Sequence, residues 1–453
     1  MKSFFSSSDS SRYPTATLQA ILEAALQAVE PAAALQRSLH VAGDTLFVND
    51  QEYDLNQYRH IWVVGAGKAA PAMGHGLQAV LGNRIEAGCL ICKHLPDPQP
   101  LKMPDQIRCL PGNHPLPGVE SLTSSQKLAD LIVRAGPDTL IFCLISGGGS
   151  ALMTLPQPGI LLDDLQQLTR LLLTCGAEIA EINTIRKHLD QLKGGGLARL
   201  AFPATLVTLI LSDVVGNPLD VIASGPTTAD PSTFSDAIAV LQKYDLVNST
   251  PPAILAALQA GKSGEIAETL KPGDPHFGQV RQWIVGDNQS AARAALKKAQ
   301  ELGFRTRLLT NDLAGEASLV GRELAETLTI IHRLDSQSGP LCLAAGGETT
   351  VTLSGAGLGG RNLETALAAA QGLAGTVNLA LLTLATDGED GPTGAAGAVV
   401  NGETLARASA LGLDIQTALT NHDSYPFFAA LDDLVVTGPT GTNVNDLNFL
   451  FRF

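Results

Sequence analysis

Thr139 to Met153 reads TLIFCLISGGGSALM, an apolar, β-prone run that breaks at once into Ser146-Gly147-Gly148-Gly149-Ser150 and then into residues suited to the first turn of a helix. Three consecutive glycines let a backbone bend sharply and approach a ligand closely. Backbone N–H groups at a helix start favour anions. The stretch therefore predicts a phosphate or carboxylate cradle at the C-terminal end of a buried strand. A second turn of this kind, Gly65-Ala66-Gly67-Lys68-Ala69-Ala70, also follows a strand and opens a helix. It fits G-x-G-x-x-A, but the next strand ends in Cys92-Lys93, where a dinucleotide site needs an acid for the ribose. No G-x-x-x-x-G-K-[ST] phosphate loop is present either. What remains is Lys68 in a glycine turn, a cation placed for an anionic ligand.

Further along, Asn183, Arg186 and Lys187 stand at i, i+3 and i+4 of a predicted helix, and Lys193-Gly194-Gly195-Gly196 follows within two turns. A cationic face beside a glycine loop suits a carboxylate or phosphate. Asp213 ends one buried strand, and Asp387-Gly388-Glu389-Asp390 ends another. Carboxylates at such positions suit Mg²⁺, which takes one or two of them together with phosphate oxygens. The acidic loop resembles a calcium loop but lacks the later bidentate glutamate. Glu348 lies in Gly346-Gly347-Glu348-Thr349, and Arg361 follows the glycine-rich Gly355 to Gly360 run at a helix start. The helix dipole disfavours a cation there, and a bound anion would offset the cost. His94, His114 and His188 lack metal spacing, and no G-x-S-x-G elbow is present.

These loops need strands and helices to hold them. Runs at Ile61–Val64, Cys89–Cys92, Ile107–Leu110, Thr139–Ile145 and Ala204–Leu211 read as strands and alternate with helical stretches, predicting an α/β fold with a mostly parallel sheet and helices on both faces. After proline-containing loops, Trp283–Val285, Arg305–Leu309, Leu341–Ala345, Thr349–Leu353, Leu379–Thr386, Leu434–Val436 and Phe449–Phe451 read as strands of a second α/β unit. Pro272-Gly273-Asp274-Pro275 is the expected boundary, giving domains 1–272 and 276–453.

At 453 residues, two domains are the natural expectation. The net charge of −14 would repel nucleic acid and anionic lipid. Aromatics at 4% are too sparse for base-stacking platforms. The six cysteines read as reduced core residues, including the Cys89/Cys92 pair inside a strand-like run. No signal-peptide stretch or membrane-length apolar run is seen, so the expected compartment is the cytoplasm.

Taken together, VVGAGKAA, LISGGGSALM, INTIRKHLDQLKGGGLA, LILSDVVGN, VIASGPTTAD, GGETTVTL, GLGGRNLE, TDGEDGPT and VTGPTGTNVNDL resemble, in order and over nearly the whole chain, the class II glycerate 2-kinases with a C-terminal MOFRL domain. The resemblance implies a Rossmann-like domain plus a smaller mixed-sheet α/β domain, an active site in the cleft between them, and transfer from ATP, with Mg²⁺, to D-glycerate, most readily at the 2-hydroxyl. It implies active-site positions for Lys68 and Arg361. Some members carry the label hydroxypyruvate reductase, the NAD(P)H-dependent alternative, which the missing ribose acid disfavours. Asn217 stands where the family commonly has Asp, Leu363 where Gln is common and Gly394 where Asp is frequent. On this reading Lys68 and Arg361 stabilise the transferred phosphoryl, with Asp213 as a third catalytic candidate. Gly67, Ser146 to Ser150, Asn183, Arg186, Lys187 and Glu348 bind phosphate or substrate. Asp213, Asp387 and Asp390 are the metal candidates, and a carboxylate among them could instead accept the hydroxyl proton. Partners are small molecules only, with a homodimer left open.

Overall fold

The computed structural model describes residues 3–5, 13–93, 106–335 and 339–453. His94 lies outside the described residues. The chain forms two compact units, Pro31–Val285 and Met1–Glu30 with Gly286–Phe453.

In the Pro31–Val285 unit, a small antiparallel sheet of β1 (Leu39–Ala42), β2 (Thr45–Val48) and β3 (Gln51–Asp54) precedes the main sheet. The main strands are β4 (His60–Ala66), β5 (Ala87–Cys92), β6 (Ile107–Pro111), β7 (Thr139–Ile145), β8 (Thr205–Leu211) and β9 (Val280–Gly286). They lie in the order β6-β5-β4-β7-β8-β9, and β6 through β8 pair in parallel. This is the doubly wound order 3-2-1-4-5-6, which binds ligands in the crevice where the order reverses. Here that point lies between β4 and β7, the strands that feed the two glycine turns. Every residue of β7 is buried, as a parallel strand covered on both faces requires. Val64, Ile91, Ile141, Ile145, Leu206 and Ile210 pack with Leu128 and Ile132 of helix Val119–Ile132 in its core. A separate helical cluster of Leu168, Leu172, Ile185, Phe234, Leu241 and Ile254 carries the helix Ile179–His188.

The other unit holds β10 (Arg305–Leu313), β11 (Leu341–Gly347), β12 (Leu379–Ala385), β13 (Gly397–Asn401), β14 (Leu434–Val435) and β15 (Asp446–Arg452). The order is β10-β11-β15-β12-β13-β14. β10 and β11 are parallel, and β15 runs antiparallel between β11 and β12, so the sheet is mixed as expected. Helices Ala317–Leu334 and Arg361–Leu373 pack closely on one another in its core because small residues face each other. A Cβ on Gly321 would stand 2.2 Å from the Thr365 carbonyl oxygen, and one on Gly372 would stand 2.8 Å from Ala325 Cβ.

Two expectations change. The chain passes between units at Val285/Gly286, at the last residue of β9, rather than at Pro272–Pro275. The first thirty residues belong with the C-terminal unit. There the helix Thr15–Ala28 buries Leu18, Ile21, Leu22 and Ala25, and Thr442 Oγ1 donates to the Val29 carbonyl at 2.6 Å. Thr349–Leu353 is not a strand. Its N–H groups turn to Gly315 O (from Thr350, 2.9 Å) and to the Glu316 carboxylate (from Thr352, 3.1 Å) instead of a ladder. Among the described residues no helix is long and apolar enough to cross a membrane. Cys89 and Cys92 are buried in β5, where burial pushes both thiols up to about 12 and disfavours the thiolate.

Candidate active site

The turns after β4 and β7 lock onto one another. The Lys68 N–H donates to the Gly147 carbonyl at 2.9 Å. The Ala69 N–H, an orphan donor just before helix Ala70–Leu81, donates to Ser146 Oγ at 3.0 Å. Gly67 has φ +147°, and a Cβ there would lie 2.0 Å from Ser146 Oγ, so only glycine permits this approach. The Ser146 hydroxyl is thus engaged in holding the Lys68 turn. Gly148 adopts φ +83° and opens the short helix Gly149–Leu152. Among the described residues, the N–H groups of Gly147 and Gly148 have no hydrogen-bond partner. Two adjacent free backbone donors in a turn form an anion-binding concavity. The Lys68 side chain is exposed beside it.

Asp213, just past β8, brings its carboxylate against the same turn, since a Cβ on Gly147 would meet Asp213 Oδ2 at 2.2 Å. Gly147→Ala is therefore expected to displace either the turn or the carboxylate. It should cost about 1–3 kcal/mol in a thermal melt; a wild-type midpoint would show that the turn has room for a side chain.

Ser150 reaches a partner that sequence reasoning gave no role. Its Oγ lies 2.7 Å from Ser224 Oγ, and Ser224 Oγ in turn donates to Asn183 Oδ1 at 3.1 Å. Ser224 is fully buried, and it and Ala223 both hold left-handed φ angles of +61° and +51°. Strained non-glycine backbone of this kind persists only where its surroundings over-determine it. Ala223 packs on Gly149, whose missing Cβ would fall 2.9 Å from Ala223 Cβ. The clue was the ASGP run inside VIASGPTTAD. His114 was also set aside on spacing, yet its ring lies against Gly148. Burial, then the charges of Lys68 and Lys93, hold its imidazole below the ordinary histidine range.

The cationic helix face divides. Arg186 lines a narrow cavity of about 30 Å³ with Ser150, Thr154 and Lys193. Burial pulls its guanidinium pKa down. Lys187, one residue on and about 100° around the helix, lines a different cavity of about 140 Å³ with His188 and Thr269. Its ammonium is spent on Asp220 at 3.1 Å and Asp230 at 3.3 Å. The structure thus places Asn183 and Arg186 near the Ser146–Ser150 turn and turns Lys187 away from it.

In the C-terminal unit, a cavity of about 790 Å³ is lined by Glu348, Arg361, Glu364, Asp387, Asp390 and His422 among others. Arg361 starts its helix, and the anion that offsets the dipole there comes from the chain itself. Asp390 accepts from the N–H groups of Asn362 at 3.0 Å and Leu363 at 2.8 Å, and from Asn362 Nδ2 at 3.2 Å. A Cβ on Gly360 would overlap that carboxylate at 2.4 Å from its Cγ. Arg361 pairs with Asp446, Nε to Oδ2 at 2.6 Å and Nη2 to Oδ1 at 3.2 Å, and with Glu348 through Nη1 at 2.5 Å. Glu348, expected to bind phosphate or substrate, has a guanidinium as its partner here.

The metal candidates separate on the same geometry. Asp390 is 2% exposed and both its oxygens accept capping bonds, which leaves it a poor Mg²⁺ ligand. Asp213 and Asp387 are only partly buried and each could offer a carboxylate oxygen. No group of three or more His, Cys, Asp or Glu side chains forms a metal cage among the described residues. One carboxylate plus phosphate oxygens is the arrangement Mg²⁺ usually accepts, so Asp213 and Asp387 fit the ion without such a cage.

The sequence family described as a domain of unknown function (DUF4147) matches residues 17–259, and the MOFRL family matches 341–446. The glycerate 2-kinase of Pyrococcus horikoshii is 38% identical over 425 residues, covering 93% of this chain and 94% of that protein. The D-glycerate 2-kinase of Thermotoga maritima is 40% identical over 386 residues, covering 85% and 89%. The crystal structure of the Thermotoga maritima glycerate kinase superposes with a TM-score of 0.85 at 35% identity, covering 97% of this chain and 99% of that one. A Pyrococcus horikoshii crystal structure superposes equally well, at 36% identity with 96% and 97% covered. The likeness runs through both units, and the chain belongs to the class II glycerate 2-kinase family, the glycerate kinases that carry a MOFRL domain.

Proposed function

We propose that the protein transfers the γ-phosphoryl group of ATP to the 2-hydroxyl of D-glycerate, giving 2-phosphoglycerate and ADP. The observation that carries the reading is the interlocked pair of glycine turns at the point of strand-order reversal, with two free N–H groups beside an exposed Lys68. Phosphoryl transfer asks for positioning and charge neutralisation more than covalent help. The Gly147 and Gly148 N–H groups would hold a phosphate or the glycerate carboxylate, with Arg186 as a second contact for that carboxylate. Lys68 and Arg361 would each stabilise charge on the transferred phosphoryl. Magnesium, bound through Asp213 or Asp387, would neutralise phosphate oxygens. Asp213 or Asp387 would take up the proton of the attacking hydroxyl.

A coupled ADP-release assay over a panel of hydroxy acids tests this. ADP formation is expected with D-glycerate and not with hydroxypyruvate, with the product resolved as the 2-phosphate by NMR. NADH oxidation with hydroxypyruvate and no glycerate-dependent ADP release would replace the kinase reading by the reductase one.

A further inference from the structure

Arg361 is held by two carboxylates of unlike standing. Asp446 opens β15, is 4% exposed, and takes the guanidinium in a two-point contact through Nε and Nη2. Glu348 has a side chain 45% exposed and meets only Nη1. A two-point contact fixes the plane of a guanidinium, whereas one bond to an exposed carboxylate leaves it free to turn. Asp446 cannot easily swing. Its backbone is paired with Gly347 of β11 on one side and Ala385 of β12 on the other, and its carbonyl accepts from Asn288 Nδ2 at 2.9 Å. The backbone end of Arg361 is equally constrained, because Asp390 holds the next two N–H groups of the helix. Arg361 is therefore anchored at both ends, and only its Glu348 edge is exchangeable.

We propose that Asp446 is the positioning residue for Arg361: it fixes the guanidinium plane so that the edge now occupied by Glu348 is presented to the transferred phosphoryl, and Glu348 is a placeholder that the phosphoryl displaces. This rests on the reading of Arg361 as a cation for the phosphoryl group. Exposed single-contact pairs are held weakly and buried two-point pairs strongly, so an arriving phosphate exchanges with Glu348 and leaves Asp446 in place. The groups facing Asp446 are Arg361 at the helix start and Asp390 from the loop after β12. Burial outweighs the pull of Arg361 and raises the Asp446 carboxyl to about 6. Protonation below that pH removes the charge that orients Arg361.

The test is a kinetic cycle on the full chain with wild type, Asp446→Asn, Arg361→Ala and the double variant, using ATP and D-glycerate. Asp446→Asn is expected to lower kcat by about 100-fold, leave KM for glycerate within about threefold, and change kcat by less than about twofold when Arg361 is already alanine. Wild-type kcat should fall as pH drops through about 6, and the Arg361→Ala profile should lack that limb. The pH comparison needs no change at Asp446, so it decides the matter even if Asp446→Asn does not fold. A near wild-type kcat in Asp446→Asn, an equal loss in both backgrounds, or a limb centred at about pH 6 that survives Arg361→Ala would overturn the positioning role while leaving the kinase reading intact. A wild-type kcat in Arg361→Ala would overturn the reading of Arg361 and the proposal with it.

Discussion

Lys68→Ala is expected to lower kcat by about 10²–10³-fold, the usual cost of removing one preorganised charge or donor from a transition-state site, while the thermal midpoint stays close to wild type. The separation follows from how the residue is built in. Its structural bond is made by the backbone N–H to Gly147, which alanine keeps, and its side chain is exposed, so truncation leaves no cavity. The ammonium has one further measurable consequence. It helps burial hold the His114 imidazole below its ordinary range. Its removal should therefore raise the His114 pKa, observable by NMR titration of the ring protons. A variant with near wild-type kcat would reject Lys68 as a phosphoryl-stabilising cation. A His114 pKa that did not move would contradict the proximity of the two groups.

The second large effect is on stability. Lys193 and Asp190 are both buried, at 3% and 4% exposure, and their 2.6 Å contact is one bond in a closed set. Lys193 Nζ also donates to the Met153 carbonyl at 2.8 Å and to Thr154 Oγ1 at 3.3 Å. Asp190 also accepts from the N–H groups of Leu155 at 3.0 Å and Leu192 at 2.9 Å. Burial lowers the Lys193 pKa and the Asp190 carboxylate opposes that fall. Lys193→Met would strand the carboxylate, and breaking one side of a buried pair costs about 3–5 kcal/mol. The thermal midpoint should then drop on the order of 10 °C for a unit of this size. Asp190→Asn combined with Lys193→Met should recover part of the loss, because both charges leave together. A single-variant melt within about 1 °C of wild type would show that the pair carries no such weight. Met153 and Thr154 follow the helix opened by the Ser146–Ser150 turn, so the same variant should also raise KM.

Much of the fold was legible because its signals are local. The all-apolar run of β7 and the strand–glycine–helix junctions at Gly65 and Ser146 record the backbone's own needs, and each sits where it was expected. Thr349–Leu353 misled for the converse reason. Its unbroken run of β-branched residues from Thr349 to Thr352 fits a strand, but Gly315 and Glu316, more than thirty residues upstream, supply the partners that decide its path. The domain boundary misled in the same way. Proline-rich composition marks a loop, whereas membership in a unit depends on which distant surface buries an element, as with β9 and the helix Thr15–Ala28.

By itself the amino-acid order determined the α/β character, the glycine turns, the candidate cations Lys68, Arg186 and Arg361, and the family, since each is carried by residue type and short spacing. Only the tertiary structure decided which charges are spent internally. Lys187 is neutralised by Asp220 and Asp230, Asp390 is consumed in capping a helix, and Arg361 is gripped by Asp446 from 85 residues away in the chain. The physical reason is the same in each case. A charge is available to a ligand only when no buried partner has taken it, and those partners arrive through strand pairing and helix packing that no local pattern encodes.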